Sequence, residues 1–202
     1  MALINVWVVE EYDKKYLKIN SNDVVIDIGA HIGLFTLYVS QFCKEGKIYA
    51  YEPVKTNFEL LIENIKINSL KQVNAYNCAV LDSKKKIQIF LNDDDAGHSI
   101  YTKSQNSVLV ESTSLKNIFD ENQIQFCNLL KMDCEGAEYE ILKNLPLEYF
   151  KKINKIVMEY HMFNKFPEKL EEIKLILASQ NFKIKVDSTT PDMGILYASK
   201  NN

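Results

Sequence analysis

The sequence predicts an α/β domain built on a mostly parallel β-sheet, and three observations support this fold class. Short apolar runs rich in β-branched residues alternate with longer segments whose apolar residues recur at helical spacing. A turn containing two glycines joins the first apolar run to the first helix. Four of the strand-like runs carry an acidic residue at or near their carboxyl end, which would place these side chains along one edge of the sheet.

Composition and length restrict the class of protein. The 202 residues fit a single domain, 1–202, with a sizeable core. A net charge of -3, with both signs interspersed, gives no electrostatic footprint for nucleic acid or an anionic membrane. The four cysteines contain no C-x-x-C pair, and no apolar run reaches transmembrane length. These features predict a cytoplasmic protein with reduced thiols.

The glycine turn distinguishes between two classes of cofactor. Dinucleotide folds carry G-x-G-x-x-G at this place, whereas this sequence has Asp27-x-Gly29-x-x-x-Gly33. The carboxylate of Asp27 would repel a pyrophosphate but suits a cofactor with a cationic ammonium group. The pattern therefore favours S-adenosylmethionine over NAD, and an NAD-dependent oxidoreductase would need the third glycine that this turn lacks.

Extended and helical patterns alternate in the first half of the chain. Residues 1–20 show no clear period and are expected to cover an edge of the sheet. Gly46 stands where a helix commonly ends, and Pro53 closes an aromatic and β-branched run. The predicted elements of this half are strand 24–28, helix 34–42, strand 47–52, helix 56–68, and a strand with its following loop, 73–80.

An inserted strand–loop–strand unit, 84–112, begins the second half. Residues 86–91 alternate as a strand, and 107–110 are the expected partner. The polar loop between them carries His98 and Ser99 and is expected to shape an acceptor pocket, with a plain exposed loop as the alternative. The last two strands are expected to form an antiparallel pair at the sheet edge. The elements after the insertion are helix 114–119, strand 126–133, helix 139–144, strand 153–161, helix 168–179, and strands 181–186 and 195–198.

Acidic side chains at the strand ends form the candidate site. In an open α/β sheet, ligands bind outside the carboxyl ends of the strands. Carboxylates are rarely placed beside buried apolar strands without a task. Glu52, at the end of the second strand, is expected to accept hydrogen bonds from ribose hydroxyls. The strand-end residues are Asp27, Glu52, Asp133, and Glu159 with His161.

Three blocks of the sequence resemble the FkbM-type S-adenosylmethionine-dependent methyltransferases. They are Ile-Asp-Ile-Gly-Ala-His-Ile-Gly-Leu-Phe-Thr at 26–36, Tyr-Glu-Pro at 51–53 and Lys-Met-Asp-Cys-Glu-Gly-Ala-Glu at 131–138. The last block is the most specific, and the resemblance extends over about residues 24–198. It implies a Rossmann-like class I methyltransferase fold, three-layered α/β/α, with a seven-stranded sheet and one antiparallel strand near the edge. It also implies methyl transfer to a hydroxyl oxygen of a sugar or natural product. One departure is that little sequence precedes the first strand, where such enzymes often carry elements that help to enclose the acceptor.

The resemblance and the strand-end positions together predict the residues that bind the cofactor. Asp27 and Gly29 are assigned to its methionine end, Glu52 to the ribose and Ala79 to the adenine. Asp133 is expected nearest the methyl group, where it could orient the amino group, polarise the acceptor hydroxyl or accept its proton. The full cofactor-binding set is Asp27, Gly29, Ala30, His31, Gly33, Glu52, Pro53, Ala79 and Asp133.

Catalysis and acceptor binding leave alternatives open. Asp133 and His161 are rival catalytic bases, since an imidazole titrates near the working pH. No metal is assigned, although a metal-assisted variant with Asp133 and Glu159 or His161 as ligands is an alternative. A second class of function is a cofactor-binding module without turnover in a biosynthetic assembly. Partners are otherwise a small-molecule or saccharide acceptor, with no nucleic acid and no membrane span. The acceptor-side candidates are Glu135, Glu138, Glu159, His98 and Ser99, of which Glu135 and Glu138 are expected in the first turn of a helix, where its dipole alone would favour acidic residues.

Overall fold

Ten strands and six helices make up the part of the chain that the computed structural model describes, residues 18–91, 106–161, 167–188, 190 and 193–200. The strands are β1 (Val24–Ile28), β2 (Lys47–Tyr51), β3 (Val73–Tyr76), β4 (Ala79–Leu81), β5 (Lys86–Leu91), β6 (Asn106–Ser114), β7 (Cys127–Met132), β8 (Ile153–Tyr160), β9 (Phe182–Ser188) and β10 (Gly194–Lys200). The helices are α1 (Leu34–Ser40), α2 (Lys55–Ile67), α3 (Leu115–Glu121), α4 (Glu138–Lys143), α5 (Leu147–Phe150) and α6 (Pro167–Ser179).

Seven strands form the central sheet in the order β3-β2-β1-β7-β8-β10-β9. All neighbouring pairs from β3 to β8 are parallel, whereas β10 runs antiparallel to both β8 and β9. The prediction of a mostly parallel seven-stranded sheet with an antiparallel strand near the edge is confirmed. The strand order reverses between β1 and β7, which is where open α/β sheets commonly bind ligands.

The core lies on both faces of this sheet because successive strand residues point to opposite sides. On β1, Val25 packs with Phe35 and Val39 of α1, whereas Ile26 joins the larger cluster formed with α3, α4, α5 and α6. Helices therefore cover both faces, and the three layers that the sequence analysis expected are present. Asp27 lies on the Val25 face, so its side chain is directed towards α1.

The inserted unit forms a separate small sheet. β5 pairs antiparallel with β6, as the alternating pattern predicted. β4 also joins it, in parallel pairing with β6, giving the order β4-β6-β5. Ala79 is therefore a buried strand residue, where the sequence analysis had placed a loop. The short helix α5 was also not predicted, because its four residues carry too little of a helical period.

Several expectations fall on residues outside the described part of the chain. These are most of the N-terminal cover segment, 1–17, and the loop residues His98 and Ser99. Among the described residues, no helix combines the length and apolarity needed to cross a bilayer. All four cysteines are free thiols, and those of Cys43 and Cys127 are buried.

Candidate functional site

The turn between β1 and α1 has a left-handed backbone at several positions. Gly29 has φ +75° and Gly33 φ +91°, and His31 between them has φ +52°. The amide of Gly29 donates to the carbonyl of Tyr51 at 3.0 Å, which fixes the turn against the end of β2. A Cβ on Gly29 would lie 1.7 Å from the carbonyl oxygen of Asp133. Glycine is therefore required because the chain after β7 approaches closely, a reason that the sequence could not show.

Glu52 lies one residue beyond β2 and faces the glycine turn. Its Oε2 accepts from the backbone amide of His31 and its Oε1 from that of Val54, both at 2.8 Å. The side-chain amide of Asn77 donates to the carbonyls of Glu52 and Pro53, which holds the backbone at this corner. Burial raises the pKa of the Glu52 carboxyl, and the two amide hydrogen bonds oppose that shift. Each carboxylate oxygen keeps a further lone pair, so Glu52 can still accept a hydroxyl.

Asp27 is fully buried and its charge is balanced by Lys131. The two residues are register partners on β1 and β7, and Lys131 Nζ lies 3.3 Å from Asp27 Oδ1. Thr36 donates to Asp27 Oδ2 at 2.7 Å. The same ammonium donates to the carbonyl of Gly29 at 2.9 Å, so it also holds the glycine turn. Asp27 therefore already has a cationic partner within the protein, and its assignment to the methionine end of the cofactor stays a prediction.

Lys131 is a site residue that the sequence analysis missed. It is the first residue of the most specific block, 131–138, but the sequence pattern indicated no role for it. The available signal was a lysine in a mostly buried strand whose other residues, apart from Asn128, are apolar. A buried ammonium needs a carboxylate partner, and β1 supplied the nearest candidate in Asp27.

Asp133 follows β7 directly and occupies the point where the strand order reverses. Its backbone amide donates to the carbonyl of Ile28 at 3.0 Å, continuing the β1–β7 pairing. Its side chain is 31% exposed, with Oδ2 3.8 Å from Lys131 Nζ and Oδ1 4.0 Å from His161 Nε2. Asp133 therefore lies between the glycine turn on one side and the end of β8 on the other.

His161 follows β8 and is surrounded by carboxylates. Its side chain is 11% exposed, with Nδ1 3.5 Å from Glu138 Oε1 and Nε2 3.5 Å from Glu159 Oε1. Glu135 Oε2 lies 3.9 Å from Nε2. Burial lowers the pKa of the imidazole, but contacts with Glu138 and Glu159 and the charge of Glu135 outweigh it, so the pKa rises to about 11.

The turn before α4 places Glu135 and Glu138 differently. Glu138 begins the helix but is fully buried, and its Oε1 accepts from the amide of Cys134 at 2.8 Å. Glu135 precedes the helix and has a left-handed backbone, φ +53°. The expectation that both occupy the first helical turn is wrong for Glu135, and helix-dipole stabilisation does not explain it. Burial raises the pKa of the Glu135 carboxyl to about 7, although the charge of His161 lowers it.

The strand order arranges these groups in one row along the carboxyl edge. Glu52 comes first, then the glycine turn, then Asp133, and last Glu159 with His161. Glu52, Asp133, Glu159 and His161 thus lie along one edge of the sheet, whereas Asp27 is buried and paired with Lys131. The individual roles assigned to these residues, and to Ala30, His31, Gly33, Pro53 and Ala79, stay predictions.

Comparisons with known proteins find similarity to methyltransferases. The family model described as "Methyltransferase FkbM domain" matches residues 27–184. The chain is 26% identical over 172 residues to methyltransferase sdnD of Sordaria araneosa, covering 69% of this chain and 66% of that protein. It is 23% identical over 140 residues to the hexuronic acid methyltransferase AglP of Haloferax volcanii, covering 69% and 56% of the respective chains. The match therefore spans about two thirds and about half of these relatives' lengths.

The fold is also found in solved structures of methyltransferases. SMU.1697c, a putative methyltransferase from Streptococcus mutans in complex with SAH, superposes with a TM-score of 0.55 at 11% sequence identity. The superposition covers 92% of this chain and 93% of that one. At such low identity the likeness concerns the fold, which is that of the class I methyltransferases.

Proposed function

The chain belongs to the FkbM methyltransferase family, whose members use S-adenosylmethionine, and from this premise we propose that it methylates a hydroxyl oxygen of a sugar or natural-product acceptor. The single observation that carries the proposal is the row of strand-end groups. In this row Glu52 and the glycine turn lie on one side of Asp133 and the carboxylates around His161 lie on the other, which supports a cofactor site next to an acceptor site. Family and fold make the chain an S-adenosylmethionine-dependent methyltransferase domain; the oxygen specificity and the acceptor class are the proposed part.

The residues at the glycine turn fit S-adenosylmethionine. Glu52 is only 5% exposed and faces the turn, yet each of its oxygens retains acceptor capacity for a ribose hydroxyl. A dinucleotide fits less well, because a pyrophosphate would meet the carboxylates of Glu52 and Asp133 across this turn. Glu52 would hold the ribose of the cofactor, and Asp133, between the glycine turn and the end of β8, would face the acceptor.

The proposed reaction needs few groups from the protein. The bound cofactor supplies a methyl group on a positively charged sulfur, which is already an activated donor. In the transfer, the acceptor oxygen forms a bond to the methyl carbon, the carbon–sulfur bond breaks, and its electron pair stays on sulfur. The protein must hold the acceptor hydroxyl in line and remove its proton. We assign Asp133 as the base that accepts this proton, because its side chain is more exposed than that of His161 and lies beside the glycine turn.

The acceptor class is supported by a relative and by charge. One relative carries the name hexuronic acid methyltransferase, which describes a sugar acid bearing hydroxyl groups. The carboxylates of Glu135, Glu138 and Glu159 around His161 disfavour an acceptor with many negative charges such as RNA, in line with the net charge of -3; the single carboxylate of a sugar acid is opposed by the same charge, so charge favours a neutral sugar hydroxyl most.

Methyl transfer from labelled cofactor tests the proposal. The chain is incubated with S-adenosylmethionine carrying a ¹³C methyl group and a panel of sugars, methyl glycosides and free hexuronic acids. We expect S-adenosylhomocysteine release with at least one of them, and a ¹³C methyl signal characteristic of an ether. A methyl ester or N-methyl signal would overturn the oxygen-ether assignment. Cofactor binding by calorimetry without release across the whole panel would instead favour a binding module without turnover.

Substitution of Glu52 should weaken cofactor binding. In Glu52→Gln the amide NH₂ must face the amide of His31 or of Val54, so one buried N–H loses its acceptor. We expect the dissociation constant for S-adenosylmethionine to rise by about 10-fold or more, which is ~1.4 kcal/mol. Calorimetric titration measures it. Glu59→Gln is the matched control, since Glu59 is an exposed glutamate of α2, and it should leave the affinity unchanged.

Substitution of Asp133 should affect turnover more than cofactor affinity. Asp133→Asn retains the shape and removes the proton acceptor, so we expect kcat to fall by about 100-fold or more. Steady-state rates on the responding acceptor are compared with the calorimetric affinity for S-adenosylmethionine. An unchanged kcat, or an affinity loss as large as the rate loss, would contradict this role and place Asp133 at the cofactor amino group.

A further inference from the structure

We propose that Asp133, Glu159 and His161 form a binding site for a divalent transition-metal cation at the acceptor end of the strand row. One ligand atom from each residue lies within 4.8 Å of the other two. His161 Nε2 lies 3.5 Å from Glu159 Oε1 and 4.0 Å from Asp133 Oδ1. A cation with bonds of about 2.1 Å joins two ligand atoms that are at most ~4.2 Å apart, so these two separations already lie within that limit. The third pair, the ligand atoms of Asp133 and Glu159, lies within 4.8 Å, and a side-chain shift of under about 1 Å would bring it within the same limit.

A buried carboxylate behind His161 provides the second, independent observation. Glu138 is fully buried and its Oε1 lies 3.5 Å from His161 Nδ1, on the side of the ring away from the proposed ligands. Among the described residues, Glu138 Oε2 and His161 Nδ1 have no hydrogen-bond partner. Metal-binding histidines commonly direct their second ring nitrogen at a carboxylate, which fixes the ring orientation and frees the other nitrogen for the metal. Glu138 occupies that position, and Cys134 holds it there through the backbone amide.

The charge around His161 also calls for a cation. Four carboxylates surround the ring, those of Asp133, Glu135, Glu138 and Glu159. The ammonium of Lys131 approaches one of these carboxylates, that of Asp133 at 3.8 Å, but it is shared with Asp27 and the Gly29 carbonyl. A proton on the ring would offset only part of the negative charge, whereas a divalent cation offsets twice as much.

The mixed ligand set favours a transition metal over Mg²⁺ or Ca²⁺. Mg²⁺ and Ca²⁺ take oxygen ligands almost exclusively, whereas Mn²⁺, Fe²⁺ and Zn²⁺ accept an imidazole nitrogen beside carboxylates. With three protein ligands, coordination positions would stay open for acceptor oxygens. The further step rests on the proposed function: a hydroxyl bound to the cation would have a lower pKa, so its proton would pass to Asp133 more readily.

Manganese binding tests the site without using the methylation reaction. Mn²⁺ is added to chelator-treated protein, and bound ion is measured from the loss of the free-ion EPR signal. We expect one Mn²⁺ per chain, with ¹⁴N couplings from an imidazole in the spin-echo spectrum. Glu159→Gln should weaken binding at least 10-fold, and His161→Gln should abolish the nitrogen couplings. Glu111→Gln, an exposed strand glutamate, is the control and should bind as the unaltered chain does.

Each result has a definite consequence. Binding weaker than about 1 mM, binding without nitrogen couplings, or binding unaffected by Glu159→Gln would overturn the site. The first two of these outcomes are measured on the unaltered chain, so a variant that fails to fold does not weaken the test. Manganese binding without methyl transfer would retain the site and overturn the proposed function. If methyl transfer persists in chelator and the chain also fails to bind added Mn²⁺ in the EPR measurement, the function is retained and the site is overturned.

Discussion

Gly29→Ala should lower the free energy of unfolding by about 3–5 kcal/mol, because two costs combine at this position. The residue has φ +75°, a left-handed conformation that L side chains rarely adopt. The added Cβ would also lie 1.7 Å from the Asp133 carbonyl oxygen, a backbone atom held by the β1–β7 pairing. The turn can relieve this contact only by moving away from β7. Denaturant unfolding of both proteins measures the loss.

Gly33→Ala is the matched comparison within the same turn. Gly33 also has a positive φ, +91°, but its added Cβ would meet Leu61 Cδ1 at 2.5 Å. That atom is the end of a flexible side chain, so it can move aside. We expect Gly33→Ala to lower the free energy of unfolding by half as much as Gly29→Ala or less, chiefly because of the backbone conformation. Equal losses in the two variants would show that the close approach to Asp133 contributes little.

Lys131→Met should lower the free energy of unfolding by about 3–5 kcal/mol, because it leaves the buried Asp27 carboxylate without its cation. Methionine fills a similar volume, so a cavity is not the cause. The substitution also removes the hydrogen bond to the Gly29 carbonyl. We therefore expect a weaker affinity for S-adenosylmethionine along with the lost stability. Denaturant unfolding and calorimetry measure the two effects.

A double variant separates the charge effect from the packing effect. Asp27→Asn removes the negative charge while its amide oxygen can still accept from Thr36. Asp27→Asn with Lys131→Met should therefore be at least ~1 kcal/mol more stable than Lys131→Met alone. If the double variant is no more stable than the single one, the lysine stabilises the turn through Gly29 and not through Asp27.

Strand and helix patterns predicted most of the elements because they are local properties of the chain. The apolar run of β1 and the helical spacing of α2 each appear within a few residues, as burial on two faces or on one face requires. β4 was not predicted, because three residues carry too little pattern and its partner, β6, lies far along the chain. The acidic strand ends of the site could be predicted for a similar reason. Placing acidic residues at strand ends needs only sequence order and the geometry of a parallel sheet.

Two features of the site depend on contacts between segments distant in sequence. The Asp27–Lys131 pair forms because β1 and β7 are neighbours in the sheet, although five of the strands described here, β2 to β6, lie between them in sequence. The carboxylate ring around His161 likewise joins the turn before α4 to the end of β8. By itself, the sequence determined the fold class, the cofactor family and the strand ends that carry acidic groups. Only the tertiary structure decided which charged groups lie close enough to neutralise one another, because pairing energy depends on separations and burial that the chain acquires on folding.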